Sequence, residues 1–122
     1  MPVQYRFDSK IVIIELIGEY SMDDLRKTIL NSFADSHCPS DSVLVINLAE
    51  SQSIYHRSSE DVRAMARYVA SLGKRFNNRI ALVAPDDLQY GLMRMSSVGS
   101  DERGIQSGIF RTFAEARKWI LS

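Results

Sequence analysis

Apolar and polar residues alternate at the start of the chain: Val3, Tyr5 and Phe7 share one side and Gln4 and Arg6 the other, the pattern of a half-buried strand. Ile11 to Ile17 is apolar on both faces except at Glu15, which predicts a second strand. The connection, with Asp8-Ser9 as a tight-turn candidate, is so short that the two must run antiparallel. Gly18 ends the second strand. Ser21 can cap a helix, with Asp24 three residues on, and Met22, Leu25, Ile29 and Phe33 recur at helical spacing on one face. Asp23 and Lys27 are spaced to form an i,i+4 ion pair on that helix. It ends near Asp35, and Pro39 lies in the loop beyond.

Val43 to Leu48 is almost wholly apolar, as a strand covered on both faces should be. Glu50 to Arg57 is polar and irregular. Ser58 or Ser59 caps the next helix, whose core face is Val62, Met65, Ala66, Val69 and Leu72, with Gly73 as its stop. Arg79 to Ala84 reads as a strand, and Pro85-Asp86-Asp87 opens a helix with Leu88, Leu92 and Met95 facing inward. The glycine-bearing stretch from Gly99 to Gly108 reads as a loop into a short strand ending at Phe110. Thr112 and Glu115 form a capping box for a last helix with Phe113, Ala116 and Ile120 inside and Trp119 beside them. The order β-β-α-β-α-β-α-β-α predicts an α/β fold: a mixed, mainly parallel five-stranded sheet with about four helices and one antiparallel strand at the start. No repeat, linker or low-complexity segment divides the chain, so residues 1–122 are read as one domain.

Composition changes this picture little. The chain has 122 residues, 45% apolar and 25% charged, enough to build a core without disulfides or metal. No apolar run approaches the ~18 residues of a membrane span. Met1 to Lys10 lacks the basic start and apolar stretch of a signal peptide, and the single cysteine, Cys38, fits a reducing compartment, so a cytoplasmic location is expected. Net charge is zero, which gives no overall attraction to nucleic acid. The charge is uneven, however: residues 1–56 carry four basic and eight acidic side chains, and residues 57–122 carry eleven basic and seven acidic. That asymmetry suits either scattered solvated charges, head-to-tail contacts or an anion-attracting face.

No complete active site is legible. Glycine-rich phosphate loops are missing, and Asp86 and Asp87 would repel a phosphate while suiting a helix start. His37, Cys38 and His56 match no metal-ligand spacing, so no metal or cofactor is expected. No Gly-x-Ser-x-Gly elbow is present, and Cys38 reads as an incidental thiol. Ser58 and Ser59 are helix caps by residue preference. Phosphorylated, either would meet free helix amides and Arg57 and Arg63. Tyr90, Gly91, Arg94 and Met95 make an unusual helix segment, because a glycine inside a helix costs about 1 kcal/mol relative to alanine. Such a cost is tolerated where a neighbouring element, a second subunit or a ligand approaches closely. Met22, Met65, Met93 and Met95 are either core or the lining of an adaptable apolar pocket.

The segment Ile80-Ala81-Leu82-Val83-Ala84-Pro85-Asp86-Asp87, continued by Tyr90-Gly91-Leu92-Met93-Arg94-Met95, resembles the SpoIIAA-like family of the STAS fold. The ending Ile109-Phe110-Arg111, Phe113, Glu115-Ala116 and Trp119-Ile120-Leu121 is similar to that family's last strand and helix. The resemblance implies a small α/β sandwich, usually bacterial and cytoplasmic, without known catalysis. Related folds include anti-sigma factor antagonists switched by serine phosphorylation and the lipid-binding CRAL-TRIO group. The antagonists carry an Asp-Ser-Ser-Gly-like turn; here His56-Arg57-Ser58-Ser59-Glu60 keeps the two serines without the preceding acid or following glycine. Asn47, Glu50 and Ser51 do not clearly reproduce the antagonists' acidic position.

Three functions follow as expectations. The first is a non-enzymatic module binding a small apolar or amphipathic ligand at the carboxyl ends of the strands, through Asn47, Ser51, Asp87, Tyr90, Gly91, Arg94 and Met95. The second is a partner-switching protein that docks another protein and is regulated at Ser58 or Ser59. The third, with least support, is an enzyme using Asp86, Asp87, Tyr90 and Arg94. An exposed strand edge and the Trp119 helix would also suit a homodimer.

Overall fold

The computed structural model describes residues 3–50, 59–87, 91 and 104–122. Strands β1 (Val3–Asp8) and β2 (Ile11–Ile17) pair antiparallel, from Val3 opposite Leu16 to Asp8 opposite Ile11. Ser9 makes the turn with a left-handed φ of 54°, where a short polar side chain is tolerated. Helix α1 (Met22–Ala34) starts at the expected capping box: the Asp24 amide donates to Ser21 Oγ at 3.0 Å and the Ser21 amide to Asp24 Oδ2 at 3.4 Å. Its first-turn ion pair differs from expectation. Asp23 pairs with Arg26, at 3.0 Å and i,i+3, instead of with Lys27.

Strand β3 (Val43–Glu50) runs parallel to β2, and helix α2 (Ser59–Ser71) follows. Gly73 does not simply stop the chain there. It opens a 3-10 turn, Gly73–Phe76, that closes on Asn77 and Asn78 in left-handed conformations. The turn drives Phe76, fully buried, into the core against Phe33, with ring centroids 6.3 Å apart. Strand β4 (Arg79–Val83) and strand β5 (Gln106–Phe110) complete the sheet, and helix α3 (Phe113–Ile120) returns over it. Gly108, expected in a loop, is the middle residue of β5. The Thr112 hydroxyl accepts from the Glu115 amide at 3.2 Å and contacts the Glu115 carboxylate at 3.1 Å, so the cap is made from the hydroxyl side. Of the helix expected to open at Pro85-Asp86-Asp87 and run to Met95, Pro85 and Asp86 are described and not helical, Asp87 and Gly91 are helical, and the rest lies outside the described residues.

The five strands lie in sequence order, β1-β2-β3-β4-β5, with only β1 antiparallel. Because neighbouring residues of a strand point to opposite faces, the doubly apolar strands feed two cores. Val12, Ile14, Leu44, Ile46, Ile80 and Leu82 pack with Leu25 and Ile29 of α1 and Val69 and Ala70 of α2. Of the expected α2 core face, Met65 and Leu72 also pack there, together with Tyr68. Ile11, Ile13, Val43, Val45, Ala81 and Val83 form the opposite core with Ala116 and Ile120 of α3. The fold is therefore a sheet between two described helices on one face and one on the other.

Helix α3 has only eight residues, and polar clamps hold both its flanks. Toward β1, Arg117 Nε donates to Asp8 Oδ2 at 3.0 Å, and the Arg6 guanidinium lies 5.5 Å from the Phe113 ring centroid. Toward β4 and β5, Trp119 packs on Phe110, with centroids 5.5 Å apart, and beneath Arg79.

Candidate functional site

The parallel strands end together at one edge, and the face of that edge beneath the start of α3 carries a distinct row of side chains. Register places Glu15 beside Asn47, Asn47 beside Val83, and Val83 beside Phe110. One half of the row is polar and the other apolar. Arg6 Nε donates to Glu15 Oε1 at 3.1 Å, extending the polar half onto β1. Phe113, half-buried at the start of α3, extends the apolar half. Asn47 is itself half-buried; its Oδ1 accepts from the Ala49 amide at 2.9 Å, and its Nδ2 has no hydrogen-bond partner among the described residues. The result is an amphipathic row, half-buried at Glu15, Asn47 and Phe110 and fully buried at Val83, offering an amide donor beside aromatic surface.

Just beyond it, Arg111 leaves β5 and bridges to the loop after β4. Its Nη1 lies 2.5 Å from Asp87 Oδ1 and 3.2 Å from the Pro85 carbonyl oxygen. The Asp87 side chain is 94% exposed and that of Arg111 43% exposed, so the pair is a solvated surface bridge of small energetic weight. Asp87 is thus paired with a cation.

A separate polar cluster ties β1 to the end of α1. Tyr5 donates through its hydroxyl to Asp35 Oδ2 at 2.6 Å, while Asp35 Oδ1 accepts from the His37 amide at 2.8 Å and lies 3.1 Å from His37 Nδ1. The Tyr5 hydrogen bond, followed by those from His37, holds the Asp35 carboxyl down at about 2. Its partner effect raises the Tyr5 phenol. The His37 side chain is 85% exposed, and Cys38 Sγ contacts the Pro39 carbonyl oxygen at 3.7 Å. Asp35 therefore acts as a C-terminal latch for α1, and His37 and Cys38 point to separate partners.

Of the residues expected at the binding edge, Asn47 and Asp87 are both found there. Ser51, Tyr90, Arg94 and Met95 lie outside the described residues, as do Ser58 and His56. Gly91 is exposed, and a Cβ built on it meets nothing within 4 Å, so close packing among the described residues does not account for this glycine. Ser59 is the first residue of α2. The strands follow sequence order, so no strand-order reversal marks a crevice at this edge. Sequence reasoning passed over Arg6, Glu15, Phe110, Arg111 and Phe113. The available signal was Glu15, the one polar interruption in the apolar run of β2.

No group of three or more His, Cys, Asp or Glu able to hold a metal ion is found among the described residues, and no described helix is long and apolar enough to cross a membrane. Comparison with known proteins fits the fold. No family model and no curated protein matches the chain. Among solved structures, an uncharacterized protein of the DUF3478 family with a SpoIIAA-like fold, from Shewanella loihica PV-4, superposes with a TM-score of 0.60. The match covers 97% of this chain and 91% of that one at 17% sequence identity. The chain has a SpoIIAA-like α/β fold.

Proposed function

We propose that the chain is a non-enzymatic binding or regulatory module whose ligand is a small amphipathic molecule, held at the carboxyl edge beneath the start of α3. The observation that carries this reading is the row Glu15–Asn47–Val83–Phe110, which changes from polar to apolar across a single line of the sheet. An apolar body would lie on Phe110 and Phe113, and an acceptor on the same molecule would take the Asn47 amide hydrogen. Small-molecule sites commonly combine apolar lining with a few placed polar groups. Asp87 and Arg111 rim the site. Tyr90, Gly91, Arg94 and Met95, in the segment that follows Asp87, belong to the same proposed site.

Native mass spectrometry of the purified protein, paired with extraction after denaturation, tests the reading. A stoichiometric extra mass recovered as a small molecule is expected, and Asn47→Leu should lose it while remaining folded. A bound molecule retained fully by both Asn47→Leu and Arg111→Ala would place the site elsewhere.

A second reading has one observation in its favour. Ser59 opens α2 and Arg63 follows one turn later, the spacing at which a phosphorylated serine and an arginine share a helix face. A protein partner docked there would be regulated at Ser58 or Ser59. Ser58→Asp and Ser59→Asp should then weaken a pull-down partner; unchanged capture by both would remove this reading.

A further inference from the structure

The charges of the described residues separate along the strand direction. At the amino ends of the parallel strands several connections meet: the Val43 amide donates to the Lys10 carbonyl oxygen, Ser42 Oγ to the Arg75 carbonyl oxygen, and the Gln106 amide to the Asn78 carbonyl oxygen. Exposed on this edge are Lys10, Lys74, Arg75 and Lys118, none of which forms an ion pair with a described carboxylate. On the same edge Asp8 is paired with Arg117, while Asp41 accepts only from the neutral Asn77 Nδ2 and keeps its charge. Among the described residues, cations on this edge therefore outnumber carboxylates.

The opposite edge has the other sign. Crossover helices begin at the carboxyl ends of the strands, and α1 and α2 bring Asp24, Glu60 and Asp61 in their first turns, with Glu19 just before α1 and Asp23 already paired with Arg26. These carboxylates have an ordinary local cause, since they suit the positive ends of the helix dipoles. Their consequence comes from the cations at the far edge. With zero formal net charge there is no monopole to keep copies apart, and the charges of the described residues are separated along the strands.

We infer that copies of this chain associate head to tail, the basic amino edge (Lys10, Lys74, Arg75, Lys118) of one copy docking against the acidic starts of α1 and α2 of the next. The occupant is a second copy because the complementary surface belongs to the same molecule and net neutrality removes the usual repulsion between copies. Such a contact joins unlike surfaces, so it does not close on itself as a twofold dimer does. It lies on the helix-layer side of the carboxyl edge, on the sheet face opposite the Asn47–Phe110 row, and does not depend on the ligand reading.

Sedimentation velocity over a concentration series, at about 10 mM and about 0.5 M salt, reads the effect, because the screening length falls from about 30 Å to a few Å between these conditions. The wild type should show a concentration-dependent rise in sedimentation coefficient at low salt that disappears at high salt. The double variants Lys74→Glu/Arg75→Glu and Glu19→Lys/Glu60→Lys should each sediment as monomers, and an equimolar mixture of the two should associate again. Circular dichroism of each variant confirms that the fold is kept. The inference is overturned by a wild type that stays monomeric at low salt, by association insensitive to salt or to either double variant, or by variants that lose association alone and do not recover it when mixed. A monomeric wild type that binds heparin through Lys74 and Arg75 also overturns it, because the edge would then serve a foreign polyanion.

Discussion

Arg79 lies over Trp119, its guanidinium carbon 4.5 Å from the ring centroid, and donates from Nη2 to the Trp119 carbonyl oxygen at 2.7 Å. The first residue of β4 thus both stacks on α3 and binds its C-terminal end, where carbonyl groups lack helical partners. The same guanidinium reaches Ser122 Oγ at 3.2 Å, while Arg79 Nε is buried without a hydrogen-bond partner among the described residues. Stacking and a charged hydrogen bond contribute about 1–3 kcal/mol together, offset in part by the unsatisfied Nε. Arg79→Ala is expected to lower stability by about 1–2 kcal/mol and to shift the emission of Trp119, the single tryptophan, to longer wavelength. Chemical denaturation followed by tryptophan fluorescence checks both. Unchanged emission would mean that the stack does not shield the indole.

Gly108 makes that arrangement possible from the strand side. A Cβ at this position would sit 2.7 Å from Phe110 Cε2 and 3.4 Å from Trp119 Cε3. The glycine leaves the space into which the Phe110 ring folds back along β5. Gly108→Ala should therefore destabilise by about 1–3 kcal/mol through overpacking, despite the better strand propensity of alanine. Adding Phe110→Leu should recover part of the loss, and a double-mutant cycle measures the coupling. Additive effects would mean that the ring is not what excludes the Cβ.

The Tyr5–Asp35–His37 cluster predicts a particular acid response. Asp35 titrates at about 2 in the fold, against an ordinary value of 3.8. A carboxyl depressed on folding adds stability that is fully present above its unfolded value and is lost as pH falls through the folded one. Stability should therefore drop between about pH 4 and pH 2, with Asp8, held low by Arg117, contributing in the same direction. Asp35→Asn should flatten that part of the profile. Tyr5→Phe should flatten it too, because the phenol hydrogen bond is the largest cause of the depression. Urea denaturation at a series of pH values decides the matter. Wild-type and Asp35→Asn curves of equal slope would exclude the latch.

Periodicity carries most of this fold because most of its elements bury continuous stripes. The doubly apolar runs of β2, β3 and β4 announce a sheet covered on both faces, and Ser21 with Asp24 marks a helix start to the residue. Local signals fail where the decisive contact is distant. Gly108 reads as loop because its reason lies in the rings of Phe110 and Trp119. Phe76, between the Gly73 stop and the strand from Arg79, carries no local signal of burial, because only the 3-10 turn brings it against Phe33, far off in sequence. The binding row is hidden for the same reason. Glu15, Asn47, Val83 and Phe110 come from four strands, and only the register sets them side by side. Arg117 and Asp8 meet across 109 residues, a pairing that no spacing rule anticipates.

Gly91 gives the sharpest test of where a ligand approaches. It is helical and exposed, and a Cβ there meets nothing within 4 Å. Alanine is better than glycine in a helix interior by about 1 kcal/mol. Gly91→Ala should therefore stabilise the unliganded protein by up to that amount, seen as a higher thermal midpoint. If the glycine is there so that a ligand can come against the helix backbone, the same substitution should reduce the recovered ligand in native mass spectrometry. A stabilised variant with reduced ligand uptake would place the ligand against residue 91 and join this helix to the Asn47–Phe110 row. A stabilised variant with full uptake would remove Gly91 from the site and leave the row and its rim, Asp87 and Arg111, to hold the ligand.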